Sequence, residues 1–163
     1  MGVAGPNRRG EPNLPRSSGR GVSVGRRNGH GHMLFVFHTD YAAGRAVQDE
    51  ILEAIRNNGF TGNTFFAINL ALEEALTNAI RHGNGLDPAK KVHVQAKVTP
   101  KRVEIIVEDE GSGFDRHHIP DPTATENLEK SSGRGILLIE SYMNRVTWDR
   151  GGRRVRMIKE NEP

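Results

Sequence analysis

Glu74 and Asn78 stand four residues apart in "EEALTNAIRHGN", residues 73–84, so on a helix they stack on one side. Leu72, Leu76 and Ile80 mark the buried face of that helix, and the side with the polar pair carries only Ala67 and Ala71 further back. Small residues there leave room beside the strip. Downstream, "EDEGSGFD" sets Asp109 ahead of Gly111 and Gly113. Glycines permit positive φ and a close approach of backbone to a ligand, and an aspartate before them can accept a hydrogen bond from a ligand amino group. The same pattern also makes a plain acidic turn. In "SSGRGILLIE", Gly133 and Gly135 open a helix, where unpaired N–H groups without side-chain obstruction suit a phosphate. A hinge at the start of a helix reads the same way. Each patch is a weak signal alone.

The elements that must position these residues follow from periodicity. "MLFVFH" is a short apolar strand starting at Met33. Asp40 can cap a helix over about 41–57, with Val47, Ile51, Leu52 and Ile55 inward and "NNG" at its end. A second helix starts at Thr61 or Asn63 and runs to about His82. "KVHVQAKV" alternates, with Val92, Val94, Ala96 and Val98 inward and His93 on the surface. "RVEIIVED" is its partner strand, with Val103, Ile105 and Val107 on one face and its end at Glu108. Residues 110–133 are irregular, "GILLIESYM" is helical, and the last two strands turn at Gly151-Gly152. This order predicts an α/β two-layer sandwich with a mostly antiparallel sheet and helices on one face.

Composition narrows the function. The chain has 163 residues, 35% hydrophobic and 26% charged, and no cysteine, which excludes disulfides and thiolate metal sites. Six arginines against one glutamate give residues 1–32 a charge of +5, so the whole-chain +3 leaves −2 for the rest. A domain-wide basic face for nucleic acid is therefore missing, and tail contacts would be non-specific. Residues 1–32 read as a disordered basic tail, with Met33 as an alternative native start and 33–163 as the domain. His30 and His32 offer at most weak metal binding. The longest apolar run, "MLFVF", is too short to span a membrane, so the cytoplasm is the expected location.

Taken together and in this order, "EEALTNAIRHGN", "DEGSGFD" and "SGRGILLIE" resemble the Bergerat, or histidine-kinase-like, ATP-binding fold over residues 34–159. The short single domain looks most like the anti-sigma factor serine/threonine kinases. The resemblance implies a mixed, mostly antiparallel sheet and ATP with Mg²⁺ as cofactors. It makes Asn78 the metal ligand, Glu74 the catalytic base on the attacking hydroxyl and Asp109 the adenine-reading carboxylate. Gly111 and Gly113 shape the adenine pocket, and Gly133 and Gly135 approach the phosphates. His82 and Arg134 complete the nucleotide-binding set. Residues 115–132 form the ATP lid, with Lys130 the cation for the γ-phosphate and His117 and His118 on the lid surface. Implied partners are a sigma factor, a STAS-domain anti-anti-sigma protein and a second copy of the chain, with "MLFVF" and the first helix as candidates for the dimer contact.

The sequence departs from the family pattern at three places. Lys130 stands where an arginine is usual, Arg153 and Arg154 replace threonines that contact adenine from the final strand, and Asn84 follows "HG" where the family varies. An ATP-binding regulatory module without kinase activity is the alternative. A histidine-kinase fragment is rejected, because residues 1–32 offer no dimerising helix pair with a phospho-accepting histidine.

Overall fold

The computed structural model describes residues 22–113 and 131–162. The element order is β1 (Val22–Asn28), β2 (His32–His38), α1 (Tyr41–Asn57), α2 (Gly62–Thr77), β3 (Lys91–Val98), β4 (Arg102–Asp109), α3 (Ser131–Tyr142), β5 (Arg145–Asp149) and β6 (Arg154–Glu160). A π-helical turn, Asn78–Gly83, continues α2. Six strands form one sheet in the order β1-β2-β3-β4-β6-β5, and every pairing among the described residues is antiparallel. The expected two-layer sandwich is present, with the antiparallel pattern complete rather than mixed.

Alternation builds the core. Met33, Phe35, Phe37, Val92, Val94, Ala96, Val98, Val103, Ile105 and Val107 are all buried on the helix-facing side. They meet Val47, Ile51 and Ile55 of α1, and Ile68, Leu72 and Leu76 of α2. Fully burying one such aliphatic side chain stabilises by about 1.5–3 kcal/mol. Asp40 caps α1 as expected, its Oδ2 accepting from the Ala43 N–H at 3.2 Å. The opposite sheet face is polar and crossed by ion pairs, including a two-bond Arg156–Glu104 pair at 3.0 Å.

The ordered sheet begins before the expected boundary at Met33. Residues 22–28, assigned above to the disordered tail, form β1 and pair with β2 from Val22↔Phe37 to Asn28↔His32. Strand pairing uses backbone groups, so a segment rich in Gly, Arg and Asn can join a sheet whose partner strand is apolar. The turn is fixed by Gly31, which has φ +74 and accepts at its carbonyl from the Val98 N–H at 3.0 Å. Since β2 is thereby an inner strand, "MLFVF" offers a partner only Leu34 and Val36 on the outer face; Met33, Phe35 and Phe37 are buried.

Two further boundaries differ. β4 ends at Asp109 rather than Glu108. α3 begins at Ser131, so Gly133 and Gly135 lie inside its first turns instead of preceding them. Most of the expected lid, with His117, His118 and Lys130, lies outside the described residues.

Candidate active site

Two clusters sit at the two ends of the π-helical turn. The first joins α2 to α3. The edge of Tyr142 in α3 meets Phe66 near the start of α2, with centroids 6.3 Å apart and planes at 82°. Gly135, near the start of α3, lies against Glu74 and Asn78, near the end of α2. The two helices therefore run antiparallel, and the start of α3 faces the polar pair. A Cβ on residue 135 would come within 2.7 Å of Glu74 Oε2 and 3.3 Å of Asn78 Oδ1. Ala67 and Ala71 are buried, as small residues beneath a packed helix should be.

Glu74 is half-buried, and that burial, aided by neighbouring Glu73, raises its pKa above the ordinary carboxylate value. Asn78 Nδ2 is buried and has no hydrogen-bond partner among the described residues. Among the described residues that nitrogen is unused, and an asparagine amide can present either its oxygen or its nitrogen to a ligand.

The second cluster is built by strand parity. Val103, Ile105 and Val107 point into the core, so Asp109, the next residue in that series, points the same way. It is 8% exposed, and its cross-strand neighbour on β3 is Val92. Burial raises its pKa, opposed by the Gly111 N–H that Oδ1 accepts at 2.8 Å and by the positive charge of Arg153. Gly83, at the end of the π-helical turn, has its Cα directly against this carboxylate, and Gly111 lies against the Gly83 carbonyl. Gly113, with φ +81, lies against the Gly151 carbonyl and the stem of Arg153.

The remaining candidates separate. His82 is exposed on the π-helical turn, and partial desolvation of its ring, followed by the Arg81 charge, lowers its pKa. The side chain of Arg134 lies outside the described residues. The two arginines at the entry to the last strand part company: Arg154, its first residue, pairs with Asp149 at 4.0 Å beside Glu108 on the outer face, whereas Arg153, just before it, lies against Gly113 near Asp109. Among the described residues, no group of three or more His, Cys, Asp or Glu side chains can hold a metal. A cation at Asn78 would therefore keep mostly phosphate and water ligands, as Mg²⁺ commonly does.

Sequence reasoning missed the inward parity of Asp109 and the close approach of Gly83. The first was legible in the alternation of "VEIIVED", had the series been continued by one residue. The second had no local signal, because it depends on where the π-helical turn meets β4.

A helical layer over an antiparallel sheet, with a Glu–Asn pair facing the start of α3 and a buried aspartate at a strand end, fits a nucleotide-binding ATPase domain. The histidine kinase-like ATPase domain family matches residues 37–159, and the chain belongs to that family. Its relatives place the resemblance in the anti-sigma branch. The chain is similar to an anti-sigma F factor of Oceanobacillus iheyensis, 35% identical over 82 residues, covering 48% of this chain and 56% of that protein. It is also similar to the serine-protein kinase RsbW of Bacillus licheniformis, 32% identical over 96 residues, covering 54% and 59% respectively. The RsbW of Bacillus subtilis is 31% identical over 94 residues. The chain spans a little over half the length of these relatives. No helix among the described residues is long and apolar enough to cross a membrane.

Proposed function

We propose that this protein is an ATP-dependent serine/threonine protein kinase that holds a sigma factor and phosphorylates a STAS-domain anti-anti-sigma protein. The observation that carries the reading is the half-buried Glu74 one turn from Asn78, whose amide nitrogen has no partner among the described residues, both facing the start of α3. A carboxylate with a raised pKa is a better proton acceptor than an ordinary one. In the reaction, Glu74 takes the proton of the partner's serine hydroxyl as its oxygen bonds to the γ-phosphorus. The bond from that phosphorus to the bridging oxygen breaks, and ADP leaves with the electron pair.

The other residues hold and orient. Asp109 accepts from the adenine amino group. The free N–H groups at the start of α3, from residue 131 onward, face the phosphates. Asn78 would hold Mg²⁺, which when bound neutralises phosphate charge. Lys130, Arg134 and His82 belong to the same nucleotide-binding set by resemblance. The homodimer, the cytoplasmic location and the STAS-domain partner rest on the resemblance alone, while the sigma-factor partner is supported by the name of the anti-sigma F factor relative.

The test is incubation of the purified chain with γ-labelled ATP, Mg²⁺ and candidate STAS-domain proteins. The proposal expects label on a partner serine. Binding of ATP and a sigma factor with no label on any partner would establish the regulatory binding module instead.

A further inference from the structure

Asn84 is the most deeply buried polar side chain among the described residues, at 1% exposure, and it follows the π-helical turn immediately. Its amide is fully engaged. Nδ2 donates to Thr39 Oγ1 at 3.0 Å and to the Lys91 carbonyl at 2.9 Å, while Oδ1 accepts from the Glu110 N–H at 2.8 Å. These partners fix which end of the amide points where, since a flipped amide would aim N–H at N–H. Thr39 is itself tied down, donating from both its N–H and Oγ1 to the Lys90 carbonyl. Asn84 thus joins the end of β2, the start of β3 and the segment after β4.

The bond to Glu110 falls at a critical place. Asp109 N–H donates to the Arg153 carbonyl, Glu110 N–H to Asn84 Oδ1, and Gly111 N–H to Asp109 Oδ1. Three successive N–H groups are thereby anchored to the residue before β6, to the residue after the π-helical turn and to the carboxylate itself. The middle anchor comes from a side chain, so one substitution can remove it. We infer that Asn84 is a positioning residue for purine selectivity: it holds the Asp109–Gly111 turn so that the Asp109 carboxylate meets the base amino group. This rests on the nucleotide reading above and extends it to a residue that never touches the nucleotide.

The experiment measures binding of ATP and of ITP, which carries a carbonyl where ATP carries the amino group, to the full-length protein by calorimetry. Wild type should prefer ATP, because a carboxylate accepts from an amino group and repels a carbonyl oxygen. Asn84→Ala leaves the Glu110 N–H without its acceptor and should weaken ATP roughly tenfold, the scale of one lost hydrogen bond with an orphaned donor. ITP binding should hardly change, so the preference collapses. Thr39→Val loosens the same knot but keeps the Glu110 bond, and should retain the preference. If Asn84→Ala does not fold, Asn84→Asp keeps the acceptor for Glu110 and must retain the preference. Equal weakening of ATP and ITP in Asn84→Ala, loss of preference in Thr39→Val, or loss in Asn84→Asp overturns the inference and leaves nucleotide binding standing. A wild type that fails to bind ATP, or binds ITP as well, overturns the reading of Asp109 and this inference with it.

Discussion

The Cα of Gly83 lies directly against the carboxylate of Asp109, leaving no space for a side chain. One residue ends the helical segment that carries Glu74 and Asn78; the other, the proposed adenine acceptor, ends β4. Their contact is where the two halves of the site meet.

Gly83→Ala therefore forces Asp109 or the π-helical turn to move. The expected cost is about 1–3 kcal/mol, as for other overpacked buried positions, together with loss of ATP affinity. Chemical denaturation and calorimetry measure the two. An alanine variant with wild-type stability and affinity would show that the contact is slack.

Glu74→Gln keeps the shape of the side chain and removes the proposed base. ATP and partner binding should persist, while transfer from γ-labelled ATP falls by roughly 10²–10⁴-fold. Labelling of the partner at the wild-type rate would remove Glu74 from the mechanism.

Asn78→Ala deletes the proposed metal ligand. Nucleotide titrations with and without Mg²⁺ should then give the same affinity, whereas wild type gains from the metal. A Mg²⁺ dependence that survives the substitution would place the ligand elsewhere.

Asp109 carries opposed demands. Burial raises its pKa in the folded state, so the native chain binds a proton more readily than the unfolded one there. Its contribution to stability is full below the unfolded pKa and is lost as pH rises through the folded value. Asp109→Asn should therefore melt higher than wild type at pH 8 without ligand, and the gap should close in acid. The same variant should bind ATP more weakly, having lost the acceptor. Thermal melts across pH check the first claim, and a gap independent of pH would contradict it.

Residues 22–28 bear on stability. A chain beginning at Met33 loses β1 and exposes the backbone edge of β2. Removal of this edge strand should cost about 2 kcal/mol and lower Tm by roughly 5–10 °C, with nucleotide affinity less affected. An unchanged Tm would mean that β1 contributes nothing, as its composition suggests.

By itself the sequence determined what depends on local periodicity. Period-2 runs set the inward faces of β2, β3 and β4, and the fourfold spacing put Glu74 and Asn78 on one side of a helix. The order of the three motifs pointed to the family. Tertiary structure decided whatever depends on residues far apart in the chain. Asn84 meets Thr39 and Glu110, 45 and 26 residues away, and neither pairing leaves a trace in local pattern. The arginines at 153 and 154 look equivalent in the chain. Only the sheet sends Arg154 to the outer face and leaves Arg153 by Gly113. β1 was hidden for a related reason: an edge strand is held by backbone hydrogen bonds to its neighbour, and those are indifferent to side-chain pattern.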